Sequence, residues 1–343
     1  MADLNLFLLG GFQAYLKDGI VLSFATNKAK ALLVFLACEA FFPHSRDALA
    51  GLLWPEYSQD SALTNLRSAL SSSRRAIQDD SAHPPFLKIS RETIQFNVQC
   101  DHWLDIEEFN QRLSADVFKS NSSPSSLIQS LEYAIGLYRG PFLEGFPNIG
   151  SSLFEEWILQ KRGQFHEQVL HGLRYLIAHY EEQGDYQAAI SYIQHQIELE
   201  PWQEEAHQQL MRIFALNNQR SKALSQFEIC CSRLQKELGV EPSISTLHLY
   251  EQIKSGKSVF NPQQKVISAS DLAIFPAAQF YARKHELFKL DCITAVEYRQ
   301  QIKTFRLKYI FLAGKIIRTA RTVVMKLPER YPYREIYEHS LSG

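Results

Sequence analysis

Five positions recur at a spacing of 34 residues, and that period constrains the fold of this chain more than any other feature. Leu176, Tyr180, Gly184, Ala189 and Ile193 return in kind as Leu210, Phe214, Asn218, Ala223 and Phe227. Apolar, aromatic and small residues at these offsets specify pairs of antiparallel helices, each too small to bury its own apolar face without stacking on the next. Ala189 and Ala223 are small enough to let paired helices approach, and Tyr180 and Phe214 fill the gap between them. Pro201 closes the first unit where the chain leaves its second helix. Stacked units leave a concave groove. It reads equally well as a protein-binding or dimerisation surface and as a buttress for whatever precedes it.

What precedes it has a different texture. Leu4, Leu6 and Leu8 alternate, Gly10-Gly11 turns the chain, and Asp18-Gly19 is a hairpin signal before Ile20. From Asn27 the period becomes helical, with Ala31, Leu32, Phe35 and Leu36 on one side. A second helix starts at Ser45, an N-cap residue, and ends at Trp54 before Pro55. A third covers 58–77, and 87–98 reads as a hairpin around Arg91-Glu92. Strands, three helices and a closing hairpin are the order of a winged helix-turn-helix.

The third helix gives that order a function. Leu63, Leu66, Leu70 and Ile77 can face a core. The other positions include Asn65, Arg67, Ser68, Ser71, Arg74 and Arg75 and carry no acid, with Asp60 at the start and Asp79-Asp80 past the end. Such a face can bond phosphates and base edges, where carboxylates would repel a duplex. Lys88 and Arg91 in the hairpin can reach a neighbouring phosphate. The plainer alternative, a charged face that only meets water, is weakened by the elements around the helix. Nucleic-acid contact has to come from such local clustering, because Lys+Arg 36 against Asp+Glu 37 leaves a net charge of -1.

Other chemistry finds little support. The five cysteines form no CxxC array, which argues against a zinc module or disulfide scaffold, and Cys230-Cys231 read as packing residues. His166, His171 and His195 lack ligand spacing, and Ser71-Ser72-Ser73 lacks a nucleophile elbow. The expectation is no enzyme, no cofactor and no metal. The amino terminus lacks a secretory signal, and the longest apolar stretch, 31–42, contains Glu39 and is too short to span a bilayer. A cytoplasmic protein without a membrane segment is expected.

Three further stretches carry a resemblance. Tyr138-Arg-Gly-Pro-Phe-Leu-Glu-Gly-Phe146, Phe154-Glu-Glu-Trp157 and Glu237-Leu-Gly-Val-Glu-Pro-Ser243 resemble the bacterial transcriptional activator domain. That domain follows an OmpR-like winged helix in antibiotic regulatory proteins and their large multidomain relatives. Over 1–257 the resemblance implies a DNA-binding transcription regulator with 58–77 as recognition helix. Asn65, Arg67, Ser68, Ser71, Arg74 and Arg75 would then meet the major groove. It also implies binding to direct repeats, often as dimers. The layout, mainly helical with a small β component, places a winged helix-turn-helix in 1–100 and a tetratricopeptide-like domain in 101–257.

Beyond that the text changes. Pro276-Ala-Ala-Gln-Phe-Tyr-Ala-Arg-Lys-His-Glu-Leu287 looks like the entry to the NTPase module of the large relatives. A phosphate loop does not follow: Tyr309 stands where Gly is required before Gly314-Lys315, and no Ser or Thr follows the Lys. Residues 258–290 read as linker and truncated entry, and 291–343 as a basic helical tail with a helix over 308–325. Between Arg283 and Arg334 there are 13 Lys or Arg against four Asp or Glu. The run from Arg306, with Lys326-Leu and Arg330-Tyr-Pro-Tyr-Arg-Glu335, is similar to the end of insertion-sequence DDE transposases, though no part of their metal-binding carboxylate motif is present. The tail reads either as added phosphate affinity or as a remnant without purpose. The sequence thus points to a regulator, by the resemblance an activator of transcription, that binds double-stranded DNA. Its repeat domain would contact RNA polymerase, another protein or a second copy. The alternatives are a tetratricopeptide interaction module without specific DNA binding, and an inactive transposase-derived fusion.

Overall fold

Alternating leucines at the amino terminus form strand β1 (Leu4–Phe7), followed by the two-residue strand β2 (Gly10–Gly11) and by β3 (Gln13–Leu16). The computed structural model describes residues 3–17, 19–113 and 124–256, and the backbone of 315–318 and 323–326. β1 and β3 pair antiparallel, with Leu4 opposite Leu16, and Tyr15 bridges to Val21 beyond Gly19. Three helices follow: α1 (Asn27–Cys38), α2 (Arg46–Leu53) and α3 (Gln59–Ala76). Thr26 Oγ1 caps α1 by accepting the Ala29 amide at 3.1 Å, and Ser45 Oγ caps α2 through Ala48 at 3.1 Å. Between α1 and α2 lies β4 (His44–Ser45). It pairs with the second strand of the hairpin β5 (Leu87–Ile89) and β6 (Thr93–Phe96), giving the sheet order β4-β6-β5. These are the elements expected of a winged helix-turn-helix.

Among the described residues from 97 to 256 the regular elements are helices, apart from β7 (His102–Leu104) and β8 (Phe142–Glu144). The helices are α4 (Asp105–Arg112), α5 (Pro124–Leu137), α6 (Ser152–Glu182), α7 (Tyr186–Leu199), α8 (Glu204–Leu216), α9 (Arg220–Leu238) and α10 (Ile244–Lys254). The 34-residue period falls on the pairs α6–α7 and α8–α9. Leu176, Ala189, Ile193, Leu210, Phe214 and Ala223 are buried, and Tyr180 and Phe227 pack against them. Gly184 and Asn218 occupy the same turn in each pair and share a left-handed backbone, φ 73° and 56°. Glycine adopts that region without cost and asparagine is among the few others that tolerate it. That shared requirement explains why a glycine and an asparagine match across the repeat.

The winged helix and the helical part are joined by strands as well as by packing. β7 lies parallel to β1, with Leu4 opposite His102, so the N-terminal sheet takes a strand from beyond residue 100. Gly10-Gly11, expected as a turn, instead pairs parallel with β8 across about 130 residues of sequence. Gly10 has φ 101°, and a side chain there would meet Arg139 Cβ at 3.4 Å, so both its backbone and its space call for glycine. Arg162 donates to the carbonyls of Phe142 and Leu143, both at 2.7 Å. Trp157 Nε1 donates to Glu39 Oε1 at 2.9 Å, and Lys161 Nζ pairs with the same oxygen at 2.9 Å. The Trp157 ring lies between Phe35 of α1 at 5.1 Å and Phe142 at 5.6 Å, with Phe154 at 5.3 Å. Most residues of the 138–146 and 154–157 motifs therefore form the joint. Glu237–Ser243 ends the repeats instead: Gly239 closes α9 with φ 68°, and Ser243 donates through N and Oγ to Glu204 at 2.7 Å.

Asp105 sits at the centre of this joint. Its side chain is 1% exposed, and one oxygen accepts the amides of Leu8 at 2.7 Å and Leu9 at 2.9 Å and pairs with Arg139 at 3.3 Å. Burial pushes its carboxyl up to about 6, against the pull of the two amides and of Arg139. The folded chain therefore holds this proton more tightly than the unfolded chain does, whose carboxyl titrates near 3.8. Stability from this group declines as pH rises from about 4 to about 6, by about 3 kcal/mol in all. Asp105→Asn keeps an acceptor for the two amides and removes the titration. Urea unfolding across this pH range should show the native-minus-Asn difference falling; parallel curves would refute the assignment.

The chain divides into two units, 1–274 and 275–343. In the second, the described residues form an antiparallel pair, β9 (Lys315–Arg318) and β10 (Val323–Lys326), with Lys315 opposite Lys326. The helix expected over 308–325 is corrected there. The two strands hold Ile316, Ile317, Val323 and Val324, β-branched residues that favour a pleated backbone over a helix. The NTPase-like entry and most of the transposase-like run lie outside the described residues.

Candidate nucleic-acid interface

One buried serine sets the orientation of α3. Ser73 is 0% exposed and donates to Ala29 O of α1 at 2.7 Å and to Ala69 O at 2.9 Å. Ala62, Leu66, Ala69 and Leu70 share its face and are buried against the core. The opposite stripe must then face outward. Thr64, Arg67, Ser68, Ser71 and Arg75 are exposed, and Asn65 is half-buried on the flank. The Arg67 and Arg75 side chains make no ion pair or hydrogen bond among the described residues, nor does the Ser71 hydroxyl. They are eight residues apart, about 12 Å along a helix axis, close to the width of a B-DNA major groove. Thr64 and Ser68 donate their hydroxyls to carbonyls four residues back, at 2.9 and 3.3 Å, which leaves their oxygens as acceptors.

Arg74 departs from the expectation. Its Nε donates to Asp79 Oδ2 at 3.1 Å and its Nη2 pairs with Asp80. Gln78, with φ 54°, turns the chain back after α3, and Asp79 N bonds to Arg74 O at 2.9 Å. The two acids lie beside the last turn of the helix, where they neutralise Arg74. Arg74 is therefore removed from the set of free cations. In the wing, Arg91 is exposed at the β5–β6 turn without a partner among the described residues. Lys88 is exposed too, with Gln99 Oε1 at 3.4 Å. The wing tip also carries exposed Glu92.

Arg46, which sequence reasoning passed over, connects the two elements. Its Nη2 donates to Ser90 O at 2.9 Å and its backbone N to Glu92 O at 3.0 Å, so the first residue of α2 holds the wing turn. The available signal was the Ser45 cap, which places Arg46 at the exposed start of a helix. The acceptor, a carbonyl 44 residues away, was not legible. Among the described residues no group of three His, Cys, Asp or Glu side chains could hold a metal ion, and no helix is long and apolar enough to cross a membrane. Chemically, the arrangement offers cations and small hydroxyls on a projecting helix beside a basic hairpin.

Comparison with known proteins bears on the fold and on the helical part. Residues 104–254 match the family described as bacterial transcriptional activator domain. A solved structure of EmbR from Mycobacterium tuberculosis, in complex with a low-affinity phosphopeptide, is similar in fold. Its TM-score is 0.56 at 18% identity, over 86% of this chain and 73% of that one. No curated protein sequence matches the chain.

Proposed function

We propose, from the match of residues 104–254 to the bacterial transcriptional activator domain family, that this chain is a transcription regulator that binds double-stranded DNA by placing α3 in the major groove. One observation carries the reading. Arg67, Ser71 and Arg75 project from a helix whose other face is locked in the core, and among the described residues nothing occupies them. Asn65, Ser68 and Thr64 flank that stripe as candidate base and phosphate contacts, and Lys88 and Arg91 add backbone contacts from the wing. Such a protein acts in the cytoplasm, where the DNA is, and the reading requires no catalytic step.

The repeat helices α6–α10 supply the surface for association with RNA polymerase or with a second copy. The joint holds that surface in a fixed relation to α3, so a partner on the repeats is placed at a set distance from the duplex. Titration of the full chain with duplex DNA at increasing salt tests the DNA reading. Arg67, Arg75, Lys88 and Arg91 on four phosphates give a slope of about -3 to -4 in log affinity against log salt. A slope near zero, with a partner protein still captured by the repeats, would leave only an interaction module.

A further inference from the structure

Asp79, three residues past the end of α3, is a carboxylate only 2% exposed. Its two oxygens are used separately. Oδ2 accepts from Arg74 Nε on the last turn of α3 at 3.1 Å, and Oδ1 accepts the amide of Leu87, the first residue of β5, at 3.0 Å. Among the described residues β5 is the edge strand of its sheet, with β6 on one side and no strand on the other. The Leu87 amide, which an edge strand leaves without a strand partner, is bonded there by Asp79.

We propose that Asp79 is a positioning residue for DNA binding, joining the recognition helix to the base of the wing. The inference rests on the DNA reading above. β6 is held by its pairing with β4, while Arg46 fixes the wing tip through Ser90 and Glu92 and Asp79 fixes the β5 end of the base through Leu87. With both in place, Lys88 and Arg91 keep a constant offset from Arg67 and Arg75, and one duplex meets all four cations together. Losing the base contact leaves the tip tethered to α2 while β5 shifts against α3. The four cations then no longer fit one phosphate track, although each is still present. Arg74, unsuited to DNA because it is neutralised, acquires a role as the anchor of Asp79.

Asp79→Asn is the informative substitution. An amide has one acceptor oxygen where the carboxylate has two, so one of the two links must break while side-chain volume is kept. Four full-length chains are compared by salt titration on a duplex oligonucleotide: native, Asp79→Asn, Lys88→Ala/Arg91→Ala, and the triple combination. Lys88→Ala/Arg91→Ala should lower the salt slope by about two in the native background. Asp79→Asn alone should lower it by a similar amount without removing a cation. The triple combination should lose no more than Asp79→Asn alone. Equal loss from Lys88→Ala/Arg91→Ala in both backgrounds overturns the proposal, because the wing would then be placed without Asp79.

Failure of the premise looks different. If Lys88→Ala/Arg91→Ala is silent in the native chain, the wing makes no DNA contact and the proposal falls with it. If Arg67→Ala/Arg75→Ala is silent as well, the DNA reading itself falls. Thermal melts confirm that each variant is folded at the titration temperature. Should the Asn chain melt below it, Asp79→Ser, which keeps an acceptor for one donor, replaces it in the same comparison.

Discussion

Replacing Arg67 and Arg75 together by alanine should lower affinity for duplex DNA by at least about 100-fold at moderate salt and reduce the salt slope by about two. The physical reason is local. Both guanidinium groups are exposed and without partners among the described residues, so neither has to give up an internal ion pair to reach a phosphate or a guanine edge. A bidentate contact to a base adds about 1–3 kcal/mol of discrimination, so the loss should be greater on a specific site than on random sequence. The overall charge of -1 excludes bulk attraction as a substitute. A control pair, Arg233→Ala with Lys236→Ala on α9, removes the same charge from the repeat helices and should leave the slope unchanged. Equal effects from the two pairs would mean that DNA responds to net charge rather than to α3. Folding is not at issue in either pair, since all four side chains are exposed.

Phe142→Ala should destabilise the folded chain by about 3–5 kcal/mol, a large share of the about 5–15 kcal/mol typical of a folded domain. Phe142 is 0% exposed and packs on Trp157 at 5.6 Å and Phe165 at 5.5 Å. Its strand pairs with Gly10-Gly11, and its carbonyl accepts from Arg162. The cavity would open between the winged helix and the helical part, not inside either. Unfolding in urea should therefore shift to lower denaturant for probes on both sides of the joint, amide-exchange protection of α1–α3 on one and the helical signal of α6–α9, read by the same exchange, on the other. A shift confined to the helical signal would show that the two parts unfold independently and that the joint is weak.

The local elements were legible in the sequence because their signals are local. The Ser45 cap and Pro55 bracketed α2, and the period of Leu66 and Leu70 oriented α3. The 34-residue match placed α6–α9. What could not be read was pairing between distant segments. Gly10-Gly11 reads as a turn because two glycines weaken a strand, and only β8, 132 residues later, explains them. β7 falls beyond the boundary at 100 for the same reason: a parallel partner leaves no turn signature. In the candidate site the exposed stripe was legible, and the state of Arg74 was not. Arg74 and Arg75 are adjacent arginines with the same intrinsic chemistry. The left-handed turn at Gln78 brings Asp79 and Asp80 back to one and leaves the other free. The resemblance motifs were recognisable as text, but their physical role, rings and amides packed between two parts of the chain, required coordinates.

The account stands or falls on whether the outward face of α3 touches DNA. A photo-crosslinking side chain placed at Ser71, in the centre of that face and without a hydrogen bond among the described residues, reports this directly. In the full-length protein mixed with duplex DNA, irradiation should attach position 71 to bases exposed in the major groove. The same group at Gln187, exposed on α7, should give no DNA adduct. Crosslinks from position 187 with none from position 71 would place the duplex on the repeat helices and contradict the account.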